Sequence, residues 1–456
     1  MSEFLFDEFD AVSAKQWKQK IQVDLKGADY NETLIWNTPE GIDIKPFYHN
    51  DDESDFINIA MPSKQNICQK IYAGHVSKAN EKAIDAIERG AESIFFIIPE
   101  EKTAIDQLLS GIDLIQVPIH LEMQFLSASY VKTIKEYITG KQASVHLYID
   151  SIGHLARTGN WYYDLKKDHQ ILEEIVDHSE SFKTTLSVDL SLYQNSGALI
   201  TQQLAYSIAH ANEYLNHFQE ADNLPSFTFK VAVGSNYFFE IAKIRALRAL
   251  WKCLADEYQI ESDCHIIAEP SKRNKTLYDY NVNMLRTTTE TMSAMLGGAN
   301  TICNLPYDAI YHKDNEFGER ISRNQLLVLK NESYFDKVDN PVDGAYFLEN
   351  LTHQLAEKAL EIFKNIEAGG GFLKQLKEHI IQRKIKESAT VEQERFDNGK
   401  EVLLGTNKYP NAEDRMKDDL ELYPFIKTDS RKTLIEPIIE RRLAEKLEQE
   451  RLETER

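Results

Sequence analysis

Short runs of β-branched and aromatic residues recur through the middle of this chain, separated by longer stretches whose apolar residues fall at three- and four-residue steps. SIFFII (93–98), IHLEM (119–123), SVHLYI (144–149), TLSVDL (185–190), TFKVAV (228–233), CHIIA (264–268) and TICN (301–304) are all of strand length. Most are nearly continuous in apolarity, which marks strands covered on both faces, as in parallel sheets. Between them, Leu204, Ile208, Ala211, Leu215 and Phe218 share one helical face, as do Ile244, Leu247, Leu250 and Trp251. Repeated βα units over roughly 250 residues fit a (β/α)8 barrel better than an open doubly wound sheet. Seven strands are readable; the eighth is not placed.

The flanks differ from this middle. Residues 1–60 are turn-rich and aromatic, with too few periodic elements to close a core. They read as an N-terminal arm and subunit-contact segment, whose Trp17, Tyr30, Trp36, Phe47 and Tyr48 either form part of a partner surface or pack on the chain's own barrel. The barrel domain is expected over 61–375 and a C-terminal helical extension over 376–456. Leu348, Leu351, Leu355, Ala359, Ile362 and Ile366 form a helical stripe, which Gly369, Gly370 and Gly371 should stop in a left-handed cap. The tail at 438–456, charged on all sides, reads as a solvated or fraying helix, with a partner-docking helix as the alternative.

Charge sorts the partners. With 52 basic against 73 acidic residues, the net charge of −21 argues against a nucleic-acid footprint. Cys68, Cys253, Cys264 and Cys303 are widely spaced with no CxxC pair, as expected of free thiols in a reducing compartment. No apolar run approaches the roughly 18–20 residues of a membrane helix. The acidic N-terminus lacks the basic and apolar regions of a signal peptide, so a cytoplasmic location is expected.

Motifs for chemistry are sparse. GxSxG, GxxxxGK[ST] and GxGxxG are absent, and the histidines, among them His75, His120, His146, His210 and His312, show no metal-ligand spacing, so no metal is expected. In DCHIIA (263–268), His265 reads as a strand-start residue. Gly297 and Gly298 read as a helix cap leading into a strand. Arg245, Arg248 and Arg286 lie on amphipathic helices, and Arg320 and Arg323 sit at three-residue spacing; such arginines either clamp a carboxylate or phosphate or form salt bridges to Glu240, Glu290 or Glu319 on neighbouring turns.

Ordered motifs add a resemblance. KGADY (26–30), IWNTPEG (35–41) and IKPFY (44–48) come first. YAG (72–74), NYFFEIAKIRALRALW (236–251), RTTTETMSAMLGG (286–298) and GERISRN (318–324) follow. NPVDGAY (340–346), IEAGGG (366–371) and GTNKYP (405–410) complete the series. Together, in this order, they resemble the barrel of the cobalamin-dependent acyl-CoA mutases, the methylmalonyl-CoA mutase family. The resemblance implies a barrel fold and a radical isomerisation of methylmalonyl-CoA and succinyl-CoA. It makes Gly297 and Gly298 the weak candidates for close approach of a corrin or a partner backbone.

Departures from the pattern matter more. LSLYQNSGA (190–198) matches a family segment Gly-Tyr-His-Met-x-Glu-x-Gly-Ala, which puts Leu192 at the catalytic histidine. Leucine can neither hydrogen-bond a thioester carbonyl nor shuttle charge. The family's Thr-Arg-Gly-x-Tyr segment has no counterpart near 62–70, and its Arg-Thr-His-Cys-Gln-Thr-Ser-Gly segment is replaced by DCHIIAEPS (263–271). The resemblance therefore implies the small (beta) subunit of a heterodimeric mutase, in a short form without a cobalamin-binding domain and without catalytic residues of its own. Adenosylcobalamin and the acyl-CoA substrate would be bound by the large (alpha) subunit. Two readings stand beside it: the catalytic barrel of a split mutase using a separate cobalamin-binding subunit, and an interaction or chaperone-like barrel serving a cobalamin enzyme.

Overall fold

The computed structural model describes residues 8–52, 59–221, 223–261, 263–427 and 430–455. Eight parallel strands form the sheet: β1 (Asn66–Tyr72), β2 (Ser93–Ile98), β3 (Ile119–Met123), β4 (Val145–Tyr148), β5 (Leu186–Asp189), β6 (Phe227–Val233), β7 (His265–Pro270) and β8 (Thr301–Cys303). Their order is β4-β3-β2-β1-β8-β7-β6-β5. The two edges meet through a parallel bridge between His146 and Thr184, where the Leu147 amide donates to the Thr184 carbonyl at 2.9 Å. The result is a (β/α)8 barrel. All seven expected strands are present. The missing one is β1, whose Asn66, Gln69 and Lys70 interrupt the apolar run that marks the others.

A bulge shapes the closing edge. The amides of Thr185 and Leu186 both donate to the Ser226 carbonyl, each at 3.1 Å. Two residues thus oppose one, shifting the alternation along β5. Thr184 reaches His146 at 3.0 Å inside the barrel, and Asp189 still reaches the mouth.

The helices surround the sheet, and one lies outside the ring. Tyr346–Ala368 packs on both Ile200–Phe218 and Tyr237–Glu257. This second layer buries Arg245, which pairs with its Glu349, on a helix that the sequence presents as one-sided; Lys243 and Arg248 are buried against other neighbours, the Ala232 and Gly298 carbonyls. The predicted stripe of Tyr346–Ala368 is inward, and the helix ends at Gly369 in right-handed conformation, followed by Gly370 (φ 100°) and Gly371 (φ 92°). Only the last two need the left-handed region that glycine tolerates.

The arm divides. Helix Ala14–Asp24, closed by a Ser13–Gln16 capping box, buries no residue. Tyr30 is buried, and the Glu40 carboxylate accepts from the Ile200 and Thr201 amides at 2.7 and 3.0 Å. Glu40 therefore caps the helix Ile200–Phe218 from 160 residues upstream, satisfying amides that have no intrahelical partner.

The tail departs from the sequence reading. Regular helix beyond 379 is confined to Ile380–Asp397 and Glu445–Thr454. Residues 434–443 form an extended strap pinned by backbone hydrogen bonds: Leu434 to Gly159 (2.9 Å), Ile438 to Ala156 (2.8 Å), Arg441 to Asn195 (3.0 Å) and Leu443 to Arg273 (2.8 Å). Ile435, Ile438 and Leu443 are buried, and so are Glu445 and Glu448 of the final helix. Glu448 accepts from the Leu277 amide at 2.8 Å and pairs with Arg442. Charge on every side concealed a docked segment, because its acids are matched by donors from distant loops.

Candidate functional site at the barrel mouth

Alternate strand residues fill the barrel axis in three layers. Nearest the strand N-termini lie His120, His146 and His265 with Thr184, Thr228 and Thr301. Next come Cys68, Phe95, Tyr148, Ile267 and Cys303, in one buried cluster. Nearest the C-termini, where barrels of this type carry their chemistry, lie Lys70, Glu122, Asp189, Lys230 and Glu269.

This uppermost layer is a charge network. Lys230 Nζ is 3.1 Å from Glu122 and 3.7 Å from both Asp189 and Glu269, and Lys70 pairs with Glu269. Arg157 Nη2 is 2.8 Å from Asp189, and the same guanidinium pairs with Glu440 of the strap. Burial opposes ionisation of Glu269, but Lys70 and Lys230 outweigh it and hold the carboxyl well below the usual range. Burial likewise works against the Lys230 ammonium, and Asp189, Glu122 and Glu269 together push it well above its ordinary value. Beneath the layer, Lys70 and Lys230 stand 5.2 and 5.8 Å from the Phe95 ring centroid, adding cation–π contact.

Beside the network is a cavity of about 290 Å³ lined by Tyr148, His154, Arg157, Tyr162, Leu192 and Lys230 among others. Leu192, on the short helix Ser191–Asn195 after β5, thus faces the space where a catalytic group would act. Its neighbours are committed elsewhere. The Tyr193 hydroxyl meets His210 Nδ1 at 3.1 Å, and its ring packs edge-on against Tyr206 and Phe372. His210 Nε2 lies 2.9 Å from Asp150 Oδ1 but off the hydrogen-bonding direction, so the two are in contact without an aligned bond. Asn195 donates to Glu440 and accepts from Ser271 and from the Lys272 amide.

The other sequence candidates are scattered. Gly297 and Gly298 sit before β8, at the opposite end of the barrel from the mouth. Gly298 (φ 83°) is approached by Met61 of the same chain. His265 does begin a strand, and Asp263 binds Arg248 at 2.9 Å instead of orienting that histidine. The arginines are structural, though with partners other than those expected. Arg245 holds Asp343 and Glu349, Arg248 holds Asp263 and the Gly298 carbonyl, Arg286 reaches Thr276 and the Leu404 carbonyl, and Arg323 donates to Gln69. Arg320 lies over Phe317. Glu240 and Glu290 pair with Lys243 and Lys275, and Glu319 with Lys82. All four cysteines are free thiols. Among the described residues, no helix is long and apolar enough to cross a membrane.

Sequence reading missed the charge network. Its signal was present: a charged residue interrupts each of β1, β3, β5, β6 and β7 at or beyond its midpoint. Only barrel closure shows that the five converge.

The fold is a parallel (β/α)8 barrel with a charge network at the C-terminal mouth, the end at which enzymes of this architecture carry their chemistry. Residues 101–453 match the methylmalonyl-CoA mutase family, to which this chain belongs. The methylmalonyl-CoA mutase small subunit of Porphyromonas gingivalis is 33% identical over 488 residues, covering 100% of this chain and 79% of that protein. Methylmalonyl-CoA mutase of Rhizobium meliloti is 26% identical over 95% of this chain and 69% of its own length. The methylmalonyl-CoA mutase large subunit of Streptomyces virginiae is 26% identical, with 90% and 64% covered.

Proposed function

We propose that this chain is the non-catalytic small subunit of a heterodimeric, adenosylcobalamin-dependent methylmalonyl-CoA mutase, supporting a catalytic large subunit. The observation that carries the reading is Leu192 in the mouth cavity, with Tyr193 and Asn195 beside it engaged in the fold. The residues present do not fit a corrin cofactor either. His265 has its ring among His120 and His146 at the far end of the axis. The strap and the Arg157–Glu440 pair also stand over the mouth. Cofactor, substrate and radical chemistry are therefore assigned to the partner.

The arm supplies a surface for that partner. Trp17 and Trp36 are about half exposed, at 47% and 50%, although Trp17 also stacks on Phe47 at 4.8 Å. Val12 and Val23 are more open still. Large subunit contacts of obligate type would cover such side chains.

The test co-expresses this chain with a large subunit and assays methylmalonyl-CoA turnover with adenosylcobalamin, for each chain alone and for the pair. Turnover that needs the large subunit and is unchanged by Tyr193→Phe is the expected result. Turnover by this chain with only a separate cobalamin-binding protein would overturn the assignment.

A further inference from the structure

The lowest layer of the barrel axis places three imidazoles from three strands side by side. One ring nitrogen from each of His120, His146 and His265 lies within 4.8 Å of the other two. The rings are 4.8, 4.2 and 5.5 Å apart between centroids. Among the described residues no carboxylate pairs with any of the three; their hydrogen-bonding side chains are hydroxyls, and Phe95 stacks on His120.

Each ring has one nitrogen tied and one left over. His120 Nδ1 meets the Tyr148 hydroxyl at 3.0 Å, His146 Nδ1 meets Thr184 Oγ1 at 3.0 Å, and His265 Nε2 meets Thr301 Oγ1 at 3.1 Å. Thr184 is itself held by Thr228 at 2.7 Å. His120 Nε2 is fully buried and has no hydrogen-bond partner, and His120 as a residue is 0% exposed. An orphaned buried nitrogen is costly unless something completes it. This is the arrangement of metal-ligating histidines, whose second nitrogen is fixed by an outer hydrogen bond that sets tautomer and ring orientation.

We propose that His120, His146 and His265 form a binding site for a borderline divalent transition ion, with Zn²⁺ as its probe, at the N-terminal end of the barrel axis. Three imidazoles with hydroxyl support suit zinc and its neighbours better than the oxygen-seeking Mg²⁺ or Ca²⁺. Burial disfavours the charged form of all three rings, which lie below the ordinary histidine range.

Zinc with nitrogens at about 2.0–2.1 Å sets its ligands about 3.3 Å apart. The rings must close from 4.8 Å. His265, only half-buried at the open end, is the ring with room to turn, and solvent there supplies a fourth ligand. Phe95 and Tyr148 plug the axis above, so the ion has no route to the mouth. Its role is to join β3, β4 and β7 across the barrel. The nearest cations do not forbid it: Arg248 is neutralised by Asp263 at 2.9 Å, and Lys183 is exposed to solvent.

The experiment titrates Zn²⁺ into the chelator-stripped full chain by calorimetry and follows thermal unfolding. About one Zn²⁺ per chain and a raised melting temperature are expected. His265→Asn should abolish this uptake, and Thr301→Val should weaken it about tenfold or more. His217→Ala should leave it intact, which separates the surface pair His217 and Glu173 (2.9 Å) as a source of adventitious binding. No uptake by folded wild type, or uptake insensitive to His265→Asn, overturns the site. Should that variant fail to fold, Co²⁺ bound to wild type decides. Intense four-coordinate visible absorption supports the site, and weak six-coordinate absorption rejects it.

Discussion

Arg157 Nη2 stands 2.8 Å from Asp189 Oδ2, so a guanidinium in the last turn of the helix Ser151–Thr158 is locked to the tip of the next strand, and it also holds Glu440 of the strap. Arg157→Met leaves four carboxylates, Glu122, Asp189, Glu269 and Glu440, facing only Lys70 and Lys230. A fully buried pair broken on one side loses about 3–5 kcal/mol. The Arg157 side chain is 38% exposed, so solvent screening brings the expected loss to about 1–3 kcal/mol. Urea unfolding of the variant checks this, and an unchanged midpoint contradicts it.

The same network sets a pH window. Asp189 and Glu269 are buried, yet Lys230 with Arg157 holds the first below its ordinary range, and Lys70 with Lys230 holds the second. Depressed carboxylates give stability that is complete above their unfolded values, near pH 4, and lost as pH falls through the folded ones. Lys230 is raised, so its contribution is complete below about pH 10.4 and lost as pH climbs through the folded value. The network's own contribution should be flat between these limits and fall outside them, while the buried His120, His146 and His265, held below the ordinary histidine range, add a separate fall in the midpoint as pH drops below about 6.5. Glu269→Gln should flatten the acid limb.

Lys275 and Glu290 form a second pair, 2.8 Å apart and nearly without solvent contact. Here burial wins: it lowers the lysine and raises the glutamate, against the pull of each on the other. Asn274 donates a further bond to Glu290 at 2.7 Å. Lys275→Met alone should cost about 3–5 kcal/mol, and Lys275→Met with Glu290→Leu should recover much of it. A double-mutant cycle by thermal unfolding measures the coupling.

Gly159 tests the strap. It sits at φ 80°, and an added Cβ would lie 2.7 Å from the Ile435 carbonyl oxygen. Backbone strain and the clash act together, so Gly159→Ala should loosen 434–443 at a cost of roughly 1–3 kcal/mol. Limited proteolysis should then cut within the strap sooner than in wild type, while the barrel itself stays protected.

The sequence by itself determined the barrel, because buried parallel strands must be short and apolar and their crossover helices must show one apolar face. It also determined Leu192 at the mouth, since that position follows from a local anchor, Gly197 and Ala198. The strand β1 stayed hidden because Lys70 serves the axis and Gln69 serves Arg323, which breaks the apolar run. The arginine partners, the docked tail and the helix cap by Glu40 were equally beyond local pattern. Each joins residues far apart along the chain, and spacing within one element carries no record of that. The three histidines make the point most sharply. They lie on three strands with no common motif, and only the stagger of a closed barrel brings their rings to one level.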